Sequence, residues 1–261
     1  MIKIVDINKT NYNDVFQVCS INNLDDPVIQ SGSELKREWI KQNLDDFGPF
    51  TKMAYQDDEP IAQILFYPET AVPYYINPRP RVIEVICAYR VKEEAKGAGT
   101  LLLLNLIDEA KTGIKCLSGE PCDFLVASPS NTGEGTSLRK YYMDNGFQEA
   151  DIELYLELNR KYYPRSLETY ENPEEDIGKA YIFYDMNCEY SWRSTVNIEK
   201  LLGDIDDSLE VFKINRWIDP HASIKRGNTL VSVNGKAIKS YWRSAEFVEE
   251  VKDALSRAQL A

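Results

Sequence analysis

The chain has 261 residues, 43% of them apolar and 11% aromatic, which is enough to bury a substantial core and to fill two domains. A net charge of −12 excludes a large nucleic-acid or anionic-membrane surface, which needs clustered Lys and Arg, and leaves solubility or a cationic substrate as the meaning of the acidic shell. No apolar run is long enough to span a bilayer and the N-terminal stretch carries charges, so neither a membrane span nor a secretory leader fits and a cytoplasmic protein is expected.

Ile2 to Ile7 reads as a strand, Asn11 to Ile21 and Glu34 to Asp46 as helices, and Lys52 to Tyr55 with Ile61 to Phe66 as a hairpin. In the second helix Leu35, Trp39 and Ile40 share a face, so it is expected to pack while its charges stay in water. Pro68, Pro73, Pro78 and Pro80 break the next stretch into a loop with Tyr74 and Tyr75 at its tip, a candidate border for a substrate cleft. An apolar strand, Val82 to Val91, then passes through a Lys- and Gly-rich turn into an apolar helix that begins near Thr100. Gly97 and Gly99 permit a tight turn, and the N–H groups of Lys96, Gly97, Ala98, Gly99 and Thr100 are expected to point outward at the positive end of that helix. Such a turn cradles a pyrophosphate. Neither a Walker loop nor a dinucleotide fingerprint fits, because the first motif is absent and Leu102 stands where the second needs its third glycine.

Asp123 to Ala127 is a further strand, followed by a polar loop, a helix from about Ser137 to Asp144, a turn at Asn145-Gly146 and an alternating strand through Ile152, Leu154, Leu156 and Leu158. Residues 159–178 lose periodicity and read as a linker. Beyond it Ala180 to Tyr184 is a strand, Trp192 to Leu202 a helix and Leu209 to Ile214 a strand, with His221 in a loop. Thr229 to Val233 and Lys236 to Ile238 form a hairpin about Asn234-Gly235, and Phe247 to Leu255 is a closing helix. The five cysteines are scattered without a C-x-x-C and with a single histidine, so no metal site is expected and a reducing compartment suits them.

The x-x-x-G-x-G turn that opens an apolar helix after a long strand resembles motif A of the GNAT N-acyltransferases, and the run from Tyr142 to Phe147 resembles the Y-x-x-x-G-F signature that closes that superfamily's core. The resemblance implies an α/β (α+β) fold in which residues 1–158 form a mixed sheet that holds acetyl-CoA by its pyrophosphate, with Tyr142 facing the departing CoA sulfur. Strand, C-x-x-S, helix, strand, hairpin and helix over residues 179–261 resemble a small thioredoxin fold, and the pairing of the halves resembles the YoaP-type acetyltransferases.

Acyl transfer from a thioester to an amine must remove a proton from an ammonium of pKa ~10 and tolerate a thiolate of pKa ~8.5. The backbone of Ala88, Tyr89, Arg90 and Val91 is expected to take the pantetheine arm as an added strand, with one N–H meeting the carbonyl oxygen as charge develops on it. Glu84 interrupts an apolar strand and is the candidate base, although a one-residue slip would turn it to the other face or leave it paired with Arg81 or Arg90. Tyr142 is the candidate acid, with adjacent Tyr141 competing, and Asn131 is a candidate CoA contact displaced by the insertion Thr132 to Thr136. Glu94 stands where the superfamily usually carries Arg or Gln, so Lys92 and Lys96 are the residues to compensate. Cys188 is a possible thiol at a helix N-terminus, where the macrodipole would favour the thiolate. Ser191 replaces a resolving cysteine and Asn228 stands where thioredoxin-like domains keep a cis-proline, so the choice there is between a packed cysteine and a monothiol. The reading is an acetyl-CoA-dependent N-acetyltransferase acting by direct attack on a small amine or peptide. A degenerate acyl-CoA-binding protein, or a monothiol module using Cys188, is the alternative. Acceptor and oligomeric state are not encoded legibly.

Overall fold

Hydrophobic alternation builds a mixed sheet in a computed structural model, which describes residues 1–91, 95–128, 138–166 and 174–258. The chain clusters into two units, one of Met1–Leu24, Arg37–Val72 and Asn77–Arg165, the other of Asp25–Lys36, Pro73–Ile76 and Ser166–Ala261. Among the described residues no helix is long and apolar enough to cross a membrane.

The first unit contains β1 (Ile2–Asp6), α1 (Asp14–Cys19), the later turns of α2 (Pro27–Asp46), β2 (Thr51–Gln56), β3 (Glu59–Pro68), β4 (Val82–Arg90), α3 (Ala98–Thr112), β5 (Phe124–Ala127), α4 (Leu138–Asp144), β6 (Gln148–Glu149) and β7 (Leu154–Glu157). Its seven strands run in the order β1-β2-β3-β4-β5-β7-β6. Every pairing is antiparallel except β4 with β5, which α3 connects as a crossover. Leu102, Leu103, Leu106 and Ala110 repeat at helical spacing and bury one stripe of α3. Trp39, Phe50 and Tyr67 form an aromatic cluster with ring centroids 5.7 to 6.2 Å apart.

A buried charge network fixes the stretch after β3. Arg79 donates through Nη1 to Glu153 Oε1 at 2.7 Å, while its backbone N–H and its guanidinium both reach the carboxylate of Glu69. The guanidinium also lies 5.3 Å from the Phe124 ring centroid, so one side chain ties the loop, β5 and the start of β7 together. Burial opposes the Arg79 charge, and the two carboxylates more than restore it.

The second unit contains β8 (Lys179–Tyr184), α5 (Glu189–Ile205), β9 (Glu210–Asn215), α6 (Pro220–Lys225), β10 (Val231–Val233), β11 (Lys236–Ile238) and α7 (Ala245–Ala258), with strand order β11-β10-β8-β9. Its core gathers Ile182, Ile198, Leu202, Val231, Phe247 and Val251. Asn234 and Gly235 both take positive φ, as a two-residue hairpin turn requires.

Three local expectations need correction. Lys36 is not in water: its Nζ lies 3.0 Å from Glu189 Oε2 with both side chains buried, an ion pair that the helical pattern does not reveal. One turn earlier, Gly32 allows α2 to meet α5, since a Cβ there would collide with the carbonyl oxygen of Glu189. Tyr74 is not an exposed tip but a buried ring against Tyr75 and Trp217, with its carbonyl accepting from Asn228 Nδ2 at 2.9 Å. His221 lies in α6, whose N-cap Asp219 accepts from the Ala222 N–H, rather than in a loop.

Replacing Arg79 by Met strands two buried carboxylates, so urea denaturation of the Arg79→Met protein is expected to show a loss of about 3–5 kcal/mol.

Candidate active site

The sheet opens at its parallel pair. β4 shares only three rungs with β5, Val82 with Phe124, Ile83 with Leu125 and Glu84 with Val126. From Val85 to Arg90 β4 continues along β3 alone among the described residues. Val91 donates to Ile61 O on the β3 side at 2.9 Å, so alternation turns the N–H of Ala88 toward the edge that β5 has left. That edge can pair with an extended ligand.

A bulge decides which side chains meet there. Tyr67 faces Glu84, Phe66 faces Val85 and Leu65 faces Cys87, which leaves Ile86 as an extra residue on β4. Residues three apart on a strand ordinarily point to opposite faces, but cross-strand partners share one, and Tyr67 and Leu65 are two apart. Glu84 and Cys87 therefore lie on the same face. Glu84 is only 7% exposed, between apolar neighbours. This settles its register and does not turn it outward.

The turn after β4 supplies donors. Gly97 caps α3 in the left-handed region at φ 86°, and an added Cβ would meet nothing within 4 Å. The next N–H groups, on Ala98, Gly99 and Thr100, find no acceptor outside the helix among the described residues. Gly97, Thr100 and Lys96 are exposed. Tyr141 donates its hydroxyl to Gly99 O at 2.7 Å and so ties α4 to the first turn of α3.

That bond separates two adjacent phenols. Tyr141 is committed, whereas the Tyr142 hydroxyl, on a side chain 1% exposed, has no hydrogen-bond partner among the described residues. Burial, followed by the neighbouring Cys87, Tyr141 and Glu84, holds the Tyr142 phenol well above its ordinary value. Two of those neighbours, Glu84 and Cys87, are the β4 side chains that the bulge brings to one face. A buried hydroxyl without a partner is a destabilising feature that a folded chain rarely keeps unless a further atom is meant to meet it.

Glu84 and Ala88 thus lie on β4, and Gly97, Ala98, Gly99 and Thr100 at the head of α3, to which the Tyr141 bond ties the helix that carries Tyr142. Tyr89, Arg90 and Val91 lie along the same strand end. Asn131, Lys92 and Glu94 lie outside the described residues. Sequence reasoning missed Cys87 as a member of this group, because a bulge without Gly or Pro leaves no signature.

At Cys188 burial outweighs the helix N-terminus. Cys188 is the N-cap of α5, but burial, followed by adjacent Glu189, raises its pKa more than Lys36 and the N–H groups of Tyr190 and Ser191 lower it. Ser191 is used locally, its Oγ accepting from the Asp185 N–H at 3.0 Å. No cis peptide bond occurs among the described residues, Asn228 included.

No protein-family model matches the chain, and no curated protein matches it. Similar solved structures include a GNAT family acetyltransferase from Brucella melitensis in complex with acetyl-CoA, at 12% identity and a TM-score of 0.43 over 64% of this chain and 94% of that one. An N-acetyltransferase from Staphylococcus aureus Mu50 is 16% identical, with a TM-score of 0.41 over 60% of this chain and 99% of that one. The ribosomal-protein-S18-alanine N-acetyltransferase of Escherichia coli is 14% identical, with a TM-score of 0.37 over 62% and 97%. Likeness of this extent assigns the chain neither a family nor an activity.

An unpaired buried hydroxyl costs about 1–3 kcal/mol, so Tyr142→Phe is expected to leave the ligand-free protein equally or more stable in urea, by up to about that amount. A clear loss of stability would mean that the hydroxyl is already satisfied. Gly97→Ala is expected to cost about 1 kcal/mol through its positive φ, with the methyl group entering space that is otherwise open.

Proposed function

We propose that the chain is an acetyl-CoA-dependent N-acetyltransferase of the GNAT superfamily, which transfers an acetyl group to an amine of a small molecule or peptide by direct attack on the thioester. The observation that carries this reading is the buried Tyr142 hydroxyl, without a partner among the described residues, together with a β4 that runs past its last rung with β5. The residues present fit acetyl-CoA: Gly97 leaves room at the head of α3, the first-turn amides there have no acceptor outside the helix among the described residues, and Ala88 turns an N–H to the edge that β5 has left. Residues 1–158 would be the acyltransferase domain of a cytoplasmic enzyme, 159–178 a linker, and 179–261 a thioredoxin-like domain serving as an interaction surface.

When bound, acetyl-CoA supplies the activated acyl group and a sulfur leaving group. The amides of Gly97, Ala98, Gly99 and Thr100, with Lys96 close by, bind the pyrophosphate and orient the arm. Lys92 and Asn131 are further candidate contacts. The strand end Ala88 to Val91 holds the arm as an added strand, and a main-chain N–H there meets the carbonyl oxygen. Glu84 takes the ammonium proton, directly or through water. Tyr142 keeps its proton and donates a hydrogen bond to the departing sulfur. Burial holds that phenol well above its ordinary value, which favours a donated hydrogen bond over full transfer. Protonation of the thiol is then left to solvent or to the base.

Titration calorimetry with acetyl-CoA, together with free-thiol release over a panel of amines, tests the reading. Saturable heat and amine-dependent thiol release are expected, with Glu84→Gln lowering the rate roughly 10²-fold or more and Tyr142→Phe lowering it about tenfold or more. No heat with the unmodified protein would end it.

A further inference from the structure

The five cysteines form no disulfide and differ in what surrounds them. Cys116 and Cys122 are buried, and burial pushes both thiols up to about 12. Burial raises Cys188 as well. The Cys19 sulfur accepts from the Gln63 side-chain amide. Cys87, half-buried like Cys19 and Cys188, is the one on β4 past the last rung shared with β5, on the Glu84 face because Ile86 is the extra residue.

A second observation belongs with it. Tyr142 is 1% exposed, its hydroxyl has no partner among the described residues, and its phenol is raised by burial first and then by Cys87. In the proposed function the atom that meets this hydroxyl is the cosubstrate's sulfur. A sulfur brought to Tyr142 comes to the neighbourhood of Cys87.

We propose that Cys87 is a site of thiol–disulfide exchange with the disulfide of coenzyme A, by which the enzyme is reversibly closed with its own cosubstrate's thiol. This inference rests on the acyl-CoA site proposed above, because the α3 amides and the β4 edge are what would bring one half of the disulfide to Cys87. The Cys87 thiol first gives its proton to solvent, and its sulfur then attacks the nearer sulfur of the disulfide. The bond between Cys87 and that sulfur forms as the original S–S bond breaks, and the second coenzyme A leaves as a thiolate that takes up a proton. Cys87 is oxidised, the departing coenzyme A is reduced, and no other oxidant is needed. Selectivity over the other four thiols follows from holding the reagent in place, which replaces a bimolecular encounter by a local one. The mixed disulfide fills the channel that acetyl-CoA would use, and a thiol reductant reopens it.

The test treats the unmodified full chain with coenzyme A disulfide or, separately, with glutathione disulfide, and follows intact mass and peptide maps, with acetyl-CoA calorimetry on the same preparation. The expected result is a mass gain of one coenzyme A at Cys87, formed at least about tenfold faster than the glutathione adduct, slowed by excess acetyl-CoA and reversed by dithiothreitol. Cys87→Ser should gain no mass. Acetyl-CoA binding without a Cys87 adduct, modification of Cys19 instead, or an adduct that acetyl-CoA fails to slow would overturn this inference and leave the acyl-CoA site standing. Neither binding nor adduct would remove both.

Discussion

The early end of one parallel strand pair is the constraint on which the rest of the first unit depends. β5 accompanies β4 for three rungs and then stops, so β4 carries its last residues along β3 only. A parallel pair joined by a helical crossover is usually buried within its sheet, and leaving half of one edge without a partner strand exposes polar main-chain groups. Beyond this edge the chain enters α3 through Gly97 in a left-handed conformation, with first-turn amides that have no acceptor outside the helix among the described residues. Two sets of main-chain donors thus follow one another along the chain. Their succession favours a long ligand with an anionic end and an amide-bearing arm over a small one.

Around this opening the chain divides its polar side chains between holding and receiving. Arg79 is fully used, gripping Glu69 and Glu153 beneath the loop that follows β3. Tyr141 is used too, fastening α4 to α3 through Gly99 O. Tyr142, one residue on, is packed against Phe147 with its hydroxyl unanswered. The fixed groups hold the unsatisfied one in place, as a preorganised site requires. The second unit follows the holding pattern: the ion pair of Lys36 with Glu189 is buried, and Cys188 beside it is kept a thiol.

Much of the framework was legible because it rests on local rules. Period-two runs placed β2, β3, β4 and β8, and Asn234-Gly235 announced its hairpin. Gly97 announced the turn before α3, though the helix begins at Ala98, two residues before the expected Thr100. What stayed hidden depends on partners distant in sequence. The burial of Lys36 requires Glu189, 153 residues away, and the burial of Tyr74 requires Trp217. The choice between Tyr141 and Tyr142 turns on a carbonyl in another helix. The bulge at Ile86 brings Cys87 to the face of Glu84 without any Gly or Pro to mark it. At Cys188 a macrodipole argument counts the helix and omits desolvation, which weighs more there.

The central claim is that the freed edge of β4 and the head of α3 together receive coenzyme A. Backbone amide NMR during a coenzyme A titration reads both places at once. The account predicts that the largest shifts fall on Ala88 and on residues 97–100, saturating together at one dissociation constant. Saturating coenzyme A that leaves these amides unmoved, or moves only those of distant elements, would contradict it.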